Sequence, residues 1–376
     1  MEKFDNNARD DSREVKAGIT HGDINGIGYE IIIKTFLDQR VFDFCTPVLY
    51  GSPKVASYHR KTIEAVNFNF FPVKRVEQAN ASRANIINVY DQEARIDLGK
   101  STSVAGELSL ISLRAAIADL KSKKLDVLVT APINKQNIQS ENFAFPGHTE
   151  YLAQEFEADQ VLMIMVSDQM RIGVVSGHVP LAEVPEKITG KSILQKLEIM
   201  NHSLKRDFGI VKPRIAVMGL NPHASDDGLL GQEETQTIIP AIEQAFEKGI
   251  LAFGPYPADG FFGTLQFREF DGVLAMYHDQ GLIPFKTMSF ENGVNFTAGL
   301  PVVRTSPGHG TGYDIAGKNL ASPDAFREAL LLAVKIYHNR LQWDEKHQNP
   351  LKENIMSKKT EAMDDEDLPE ELEEEK

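Results

Sequence analysis

The chain reads as an α/β protein built on a largely parallel sheet and folded as two interlocked lobes. Three observations predict this. Short apolar runs alternate with helix-patterned stretches along most of the 376 residues, as expected of successive βα units. Apolar residues make up 42% and charged residues 25% of the chain, the balance of an ordinary globular protein with a large core. No internal repeat or long linker interrupts the pattern, so two lobes sharing one framework are expected rather than separate beads.

A single two-lobed catalytic unit is expected over residues 15–343. It opens on an apolar stretch at 15–19, followed by Gly22-Asp-Ile-Asn-Gly26-Ile-Gly28 and a helical pattern over 29–36. Between 107 and 121, Leu110, Leu113, Ile117 and Leu120 recur at helical spacing, which predicts a helix with one apolar stripe. Asp126-Val-Leu-Val-Thr130 then reads as a buried strand, and Ala131-Pro132 turns it into a loop. Further strands are predicted at 161–166, 172–175, 214–219 and 273–277, and a last helix over 323–339. Residues 350–376 form an acidic tail with too little apolar surface to offset the entropy of ordering, and disorder is expected there.

The net charge of -14 argues against nucleic acid as a partner, because phosphate backbones demand a basic surface. Cys45 is the sole cysteine, so no intrachain disulfide forms and a reducing compartment is expected. The first residues are polar and charged, without the apolar segment of a signal peptide. No apolar run reaches the length of a membrane span. Together these place the protein in the cytoplasm.

Three of the predicted strands run directly into a histidine: 172–175 into His178, 214–219 into His223 and 273–277 into His278. In parallel sheets, ligands bind beyond the carboxyl ends of strands, so these imidazoles can meet in space. Three neutral imidazoles with an open coordination position suit a catalytic divalent cation that accepts an alcohol oxygen. Taken singly, each histidine reads equally as a hydrogen-bonded loop residue; three at equivalent strand ends favour a shared ion. Imidazoles favour zinc or cobalt, while cellular supply keeps magnesium among the candidates. Asp279 beside His278 suits an orienting carboxylate, a solvated loop residue or a helix cap. Lys286, Asn295 and Arg304 supply donors for an anionic substrate. Two glycine-rich stretches, 22–28 and 308–317, fit either tight turns or backbone approach to a ligand.

Several longer motifs resemble one family. Phe145-Pro-Gly-His148-Thr149-Glu150, Gly219-Leu-Asn-Pro-His223-Ala, Gly254-Pro-Tyr-Pro-Ala-Asp259, Ala275-Met-Tyr-His278-Asp-Gln-Gly-Leu, Gly293-Val-Asn295-Phe-Thr and Gly299-Leu-Pro-Val-Val-Arg304-Thr-Ser are similar to the 4-hydroxythreonine-4-phosphate dehydrogenases of pyridoxal phosphate biosynthesis. The resemblance spans about residues 15–341. It implies an isocitrate/isopropylmalate dehydrogenase-like fold and a homodimer whose active sites are shared between subunits. It implies that His178, His223 and His278 hold the metal, that His148, Thr149, Lys286, Asn295 and Arg304 contact substrate, and that Asp259 and Lys286 are catalytic. The loop carrying His309, Gly310 and Asp314 resembles the adenosine-binding loop of the wider isopropylmalate dehydrogenase group, implying NAD or NADP.

The reaction so implied oxidises a phosphorylated hydroxy-amino acid and releases carbon dioxide. A paralogous dehydrogenase of a four-carbon sugar-acid phosphate is the alternative. A phosphate acyltransferase fits less well, because acyl transfer needs no such histidine set. Three stretches depart from the family, one of them Ser306-Pro307-Gly308 in place of a more usual Ser-Val-Asp. Thr20-His21-Gly22-Asp23-Ile24-Asn25 stands where Pro-Gly-Asp/Glu-Pro-Ala is usual, and Ala224-Ser225-Asp226-Asp227-Gly228 replaces a more glycine-rich run.

Overall fold

A computed structural model describes residues 14–91, 94–141 and 143–348. Twelve strands form one sheet: β1 Lys16–Thr20, β2 Thr46–Gly51, β3 Phe71–Val73, β4 Asn85–Asn88, β5 Val127–Thr130, β6 Leu162–Val166, β7 Arg171–Ser176, β8 Arg214–Met218, β9 Leu251–Tyr256, β10 Gly272–Tyr277, β11 Val294–Ala298 and β12 Val303–Pro307. Their order is β3-β4-β2-β1-β5-β12-β11-β6-β7-β10-β8-β9. The two flanks are parallel. Antiparallel pairing is confined to the middle, where β11 pairs β12 and β6, and β6 pairs β7. The central strands thus join two parallel halves into one framework.

The apolar stripe read at 110–120 belongs to the helix Ser103–Lys121, whose N-terminus is capped by Thr102 Oγ1 accepting from the Ala105 N–H. That stripe packs on β2 and β5, with Leu113, Ile117 and Leu120 buried against Val48, Tyr50 and Leu128. The final helix, Asp324–His347, runs past the expected end at 339. Trp343 stacks on His347 at 3.8 Å and Arg206 pairs with Asp344 at 3.0 Å, contacts that depend on folding and extend the last turns. The 350–376 tail lies outside the described residues. No helix among those described is long and apolar enough to cross a membrane.

β2, β3, β4, β9, β11 and β12 are not among the strands expected from sequence, and of these β12 bears most on the site. Its Val-Arg-Thr-Ser-Pro run lacks a strand-like apolar pattern, yet every residue of it is buried between β5 and β11. The tertiary setting overrides the local preference.

The altered first loop is packed rather than open. Residues 21–30 are all buried, and Gly22, at φ +69°, lies so close to the Pro132 carbonyl that a Cβ would collide with it. His21 stacks on Tyr29 at 5.2 Å, and Tyr29 stacks on His59 at 5.0 Å. Asp23 accepts from Tyr313 Oη and Asn137 Nδ2, both at 2.7 Å, which ties this loop to the second glycine-rich stretch. Of the two readings left open for the first stretch, the tight packed turn is the one observed.

The buried imidazoles set an acid limit on stability. Burial lowers His21 to about 3 and His59 to about 4. Below pH 6.5 the unfolded chain takes up protons that these folded-state imidazoles refuse, so stability is full above that pH and falls as pH drops toward 4. The slope is on the order of 1.4 kcal/mol per pH unit for each imidazole. Urea unfolding between pH 7.5 and 4.5 measures it. The His59→Gln variant should show a shallower fall, and an unchanged slope would place the acid sensitivity elsewhere.

Candidate active site

β7, β10 and β8 are adjacent and parallel, so His178, His223 and His278 all leave the same end of the sheet. Gln280 ties the ends of β8 and β10 together, its Nε2 donating to the Gly219 carbonyl at 2.6 Å and its Oε1 accepting from the Met276 N–H at 2.7 Å. His178 and His278 meet, with ring centroids 5.5 Å apart. Burial holds His178 below the usual imidazole range, with Lys135 adding to the effect, so it is neutral and able to ligate at neutral pH. His278 Nδ1 lies 2.7 Å from Asp279 Oδ1, a contact that orients the ring and leaves Nε2 for a ligand.

His223 does not join that pair within one chain. It faces a neighbouring cleft with Asp259, Tyr277, Asp279 and Ile283. Among the described residues, no group of three or more His, Cys, Asp or Glu side chains is placed to hold a metal ion. A single chain therefore brings together two of the three imidazoles, His178 and His278.

The backbone that carries His223 is unusual. His223, Ala224, Ser225, Asp226 and Asp227 all have positive φ, between 48° and 70°, and none is glycine. Left-handed backbone costs roughly 1–2 kcal/mol per residue bearing a side chain, so contacts elsewhere must hold this turn.

Beside His178 and His278 lies a cavity of about 260 Å³. Lys135, His148, Thr149, Glu150, Lys286, Asn295, Arg304, His309 and Gly310 line it. His148, Thr149 and Glu150 form the first turn of the helix His148–Glu155. Lys286 lies two turns beyond His278 on the helix His278–Ser289, with Leu282 between them on the same face, as helical spacing requires. Asn295 is on β11 and Arg304 on β12. The sequence-predicted substrate residues thus converge, together with His309 and Gly310. Asp259 stays with His223 in the adjacent cleft, and Asp314 does not line the cavity.

Arg304 is the most informative group. It is 2% exposed, and its donors reach only hydroxyls: Nη2 and Nε to Thr130 Oγ1 at 2.7 and 3.1 Å, and Nη1 to Thr297 Oγ1 at 3.3 Å. Among the described residues it forms no ion pair, and burial lowers it to about 9. The Glu150 carboxylate, which lines the same cavity, attracts it without pairing; a buried cation with no ion-pair partner is costly, and an anionic ligand entering the cavity supplies one. His148 Nε2, Asn295 Oδ1 and His309 Nε2 are also buried without hydrogen-bond partners. Burial and the nearby Arg304 and Lys135 charges hold His148 well below its usual value. The cavity is therefore lined by polar atoms that only a ligand or water can satisfy.

Lys135 and Glu150 were not singled out from sequence. Glu150 sits in the Phe145–Glu150 motif, and Lys135 follows the loop after β5. Lys135 Nζ lies 3.4 Å from His178 Nε2. Glu150 is the one carboxylate lining the cavity.

A mostly parallel α/β sheet with this cavity beyond its strand ends defines an α/β enzyme of the class that binds its ligands at the carboxyl ends of the strands. The chain belongs to the family described as "Pyridoxal phosphate biosynthetic protein PdxA", whose profile matches residues 43–333. A 4-hydroxythreonine-4-phosphate dehydrogenase of Bacteroides thetaiotaomicron is 49% identical over 353 residues, covering 94% of this chain and 97% of that one. A protein of Oceanobacillus iheyensis described as a putative D-threonate 4-phosphate dehydrogenase is 36% identical over 329 residues, covering 86% and 98%. The crystal structure of the 4-hydroxythreonine-4-phosphate dehydrogenase of Klebsiella pneumoniae superposes with a TM-score of 0.74 at 32% identity, covering 87% of this chain and 99% of that one.

Substitution of Arg304 separates ligand binding from stability. A charge-assisted hydrogen bond contributes about 1.5–3 kcal/mol, so Arg304→Met should lower kcat/KM for a phosphorylated substrate by at least one to two powers of ten. Because the ligand-free protein loses a buried charge that has no ion-pair partner and keeps similar volume, its unfolding temperature should stay at or above wild type. A several-degree fall in that temperature would make Arg304 a structural residue.

Proposed function

We propose that the chain oxidises 4-hydroxythreonine 4-phosphate with NAD or NADP, with loss of carbon dioxide to give 3-amino-2-oxopropyl phosphate, as a homodimer with a divalent metal. The observation that carries this reading is the buried Arg304 guanidinium, without an ion-pair partner among the described residues and surrounded by unsatisfied polar atoms in a cavity bordered by two imidazoles. Such a cavity suits a small polyanion. Arg304, His148, Thr149 and Asn295 bind the anionic ends of the substrate and orient its hydroxyl toward His178 and His278. When bound, zinc, cobalt or magnesium supplies Lewis acidity at that hydroxyl, and the dinucleotide takes the hydride. Lys286, which lines the same cavity, moves the hydroxyl proton. His309 and Gly310 reach the cavity from the second glycine-rich stretch and approach the dinucleotide, with Asp314 further along the same loop.

His223 and Asp259 share a cleft apart from the main cavity, and both enter the active site from the partner subunit. Apolar side chains at these clefts support this arrangement. Leu181, 72% exposed, borders the His178 and His278 cleft, and Ile283, 62% exposed, borders the His223 cleft. Exposed apolar residues at a cleft edge suit burial against a second copy. Mixing supplies the test. His178→Ala and His223→Ala homodimers should each be inactive, while a refolded mixture should regain roughly a quarter of wild-type activity. Half of its dimers are hybrids, each with one intact site. No regain on mixing would mean that each site is built from one chain.

The Glu150 carboxylate favours an amino acid over a sugar acid, because an ammonium group offers it an opposite charge. Glu150→Gln should raise KM for 4-hydroxythreonine 4-phosphate by about tenfold, with a smaller change for a D-threonate 4-phosphate substrate. Equal losses with both substrates would remove Glu150 from amino-group recognition. A cytoplasmic location goes with this function. The lone Cys45 is buried at 1% exposure, and burial pushes its thiol up to about 12, which keeps it unreactive.

A further inference from the structure

We infer that Glu234 is the positioning residue for His223, holding the left-handed turn that presents this imidazole; the inference rests on the reading of His223 as a metal ligand. The turn departs from the glycine-rich run usual in the family, yet it keeps the backbone that glycines adopt freely. Ala224, Ser225, Asp226 and Asp227 occupy positive φ with side chains attached. Bonds within the turn, such as Asp226 N–H to the His223 carbonyl at 3.3 Å and Leu230 N–H to the Ser225 carbonyl at 2.9 Å, stabilise its interior, and Ala224 N–H to the Asn221 carbonyl at 3.2 Å closes it on its entry; none of them holds the Leu220 and Asn221 N–H groups or the Asn221 side chain.

The entry is held by Glu234. This carboxylate is 1% exposed. Its Oε1 accepts from the Leu220 and Asn221 N–H groups at 2.8 and 2.7 Å, and its Oε2 accepts from Asn221 Nδ2 at 2.9 Å. Glu233 Oε2 accepts from the same Asn221 amide at 2.8 Å. Among the described residues Glu234 forms no ion pair, so these donors are what stabilise its buried charge. The residues it grips immediately precede Pro222 and His223. Gly231 packs against the grip: a Cβ there would collide with Asn221 Nδ2 and Glu233 Oε2. Glu234 thus aims an imidazole that it does not touch, through backbone that would otherwise relax toward right-handed conformations.

The test uses the full-length dimer and Co(II) as probe, titrated by visible absorption and calorimetry, so activity is not the readout. Loss of an outer partner weakens metal binding by about 10–100-fold, and Glu234→Ala should fall in that range. Glu234→Gln should lose less, because its carbonyl oxygen still accepts from both backbone N–H groups. Adding Ala224→Gly to Glu234→Gln should recover part of the loss, since glycine takes positive φ without steric cost; a merely structural glutamate would not be rescued by relaxing the turn. His223→Ala is the reference variant. If His223→Ala loses Co(II) affinity while Glu234→Ala and Glu234→Gln bind as wild type, the positioning role is overturned and the metal reading survives. If His223→Ala itself binds Co(II) as wild type, the metal reading fails and takes this inference with it. Should Glu234→Ala not fold, the comparison of Glu234→Gln with and without Ala224→Gly decides, and equal affinities for the two would overturn the proposal.

Discussion

A guanidinium held inside the sheet without an ion-pair partner, attracted only by the Glu150 carboxylate of the same cavity, is the constraint around which this site is arranged. Arg304 belongs to β12, in the middle of the sheet, and its donors reach only the hydroxyls of Thr130 on β5 and Thr297 on β11. Two threonines cannot neutralise a cation, so the ligand-free protein carries an electrostatic cost that an anion relieves. Thr149 Oγ1 stands 3.5 Å from Thr297 Oγ1, which links the arginine to the helix bearing His148. The substrate pocket is thus an electrostatic demand as much as a shape.

The histidine edge obeys a different logic. His178 and His278 come together because β7 and β10 are neighbouring parallel strands of nearly matched register, Ser176 opposite Tyr277. His223 leaves the next strand, β8, but a run of left-handed residues turns it into the adjacent cleft. Strand order decides which histidines approach one another, and backbone conformation decides which one is directed elsewhere. Both the anion cavity and the histidine pair sit beyond strands that the antiparallel centre of the sheet locks in place.

Much of this was legible in the residues. The strands ending at His178, His223 and His278 are apolar, terminate abruptly and were found within about a residue of their limits. Burial on both faces leaves such strands a plain signal. The convergence of His148, Asn295, Lys286 and Arg304 followed from motif resemblance, since they come from four separate elements. Lys135 and Glu150 escaped notice because neither changes the local pattern around it: one is a loop lysine, the other a first-turn helix carboxylate. β12 escaped because its polar residues are satisfied by a sheet whose strands come from distant parts of the chain. The extent of burial around Arg304 escaped for the same reason.

By itself, the sequence determined the α/β class, the strand-end position of the three histidines and the family to which the chain belongs, because periodicity and local motifs are carried by neighbouring residues. Tertiary structure alone decided that Arg304 is buried without an ion-pair partner, that His223 and Asp259 share a cleft apart from the main cavity, and that Glu234 grips the backbone before a left-handed turn. Those facts depend on which distant segments exclude water from a group and which donors reach it, and no local pattern of residues encodes either.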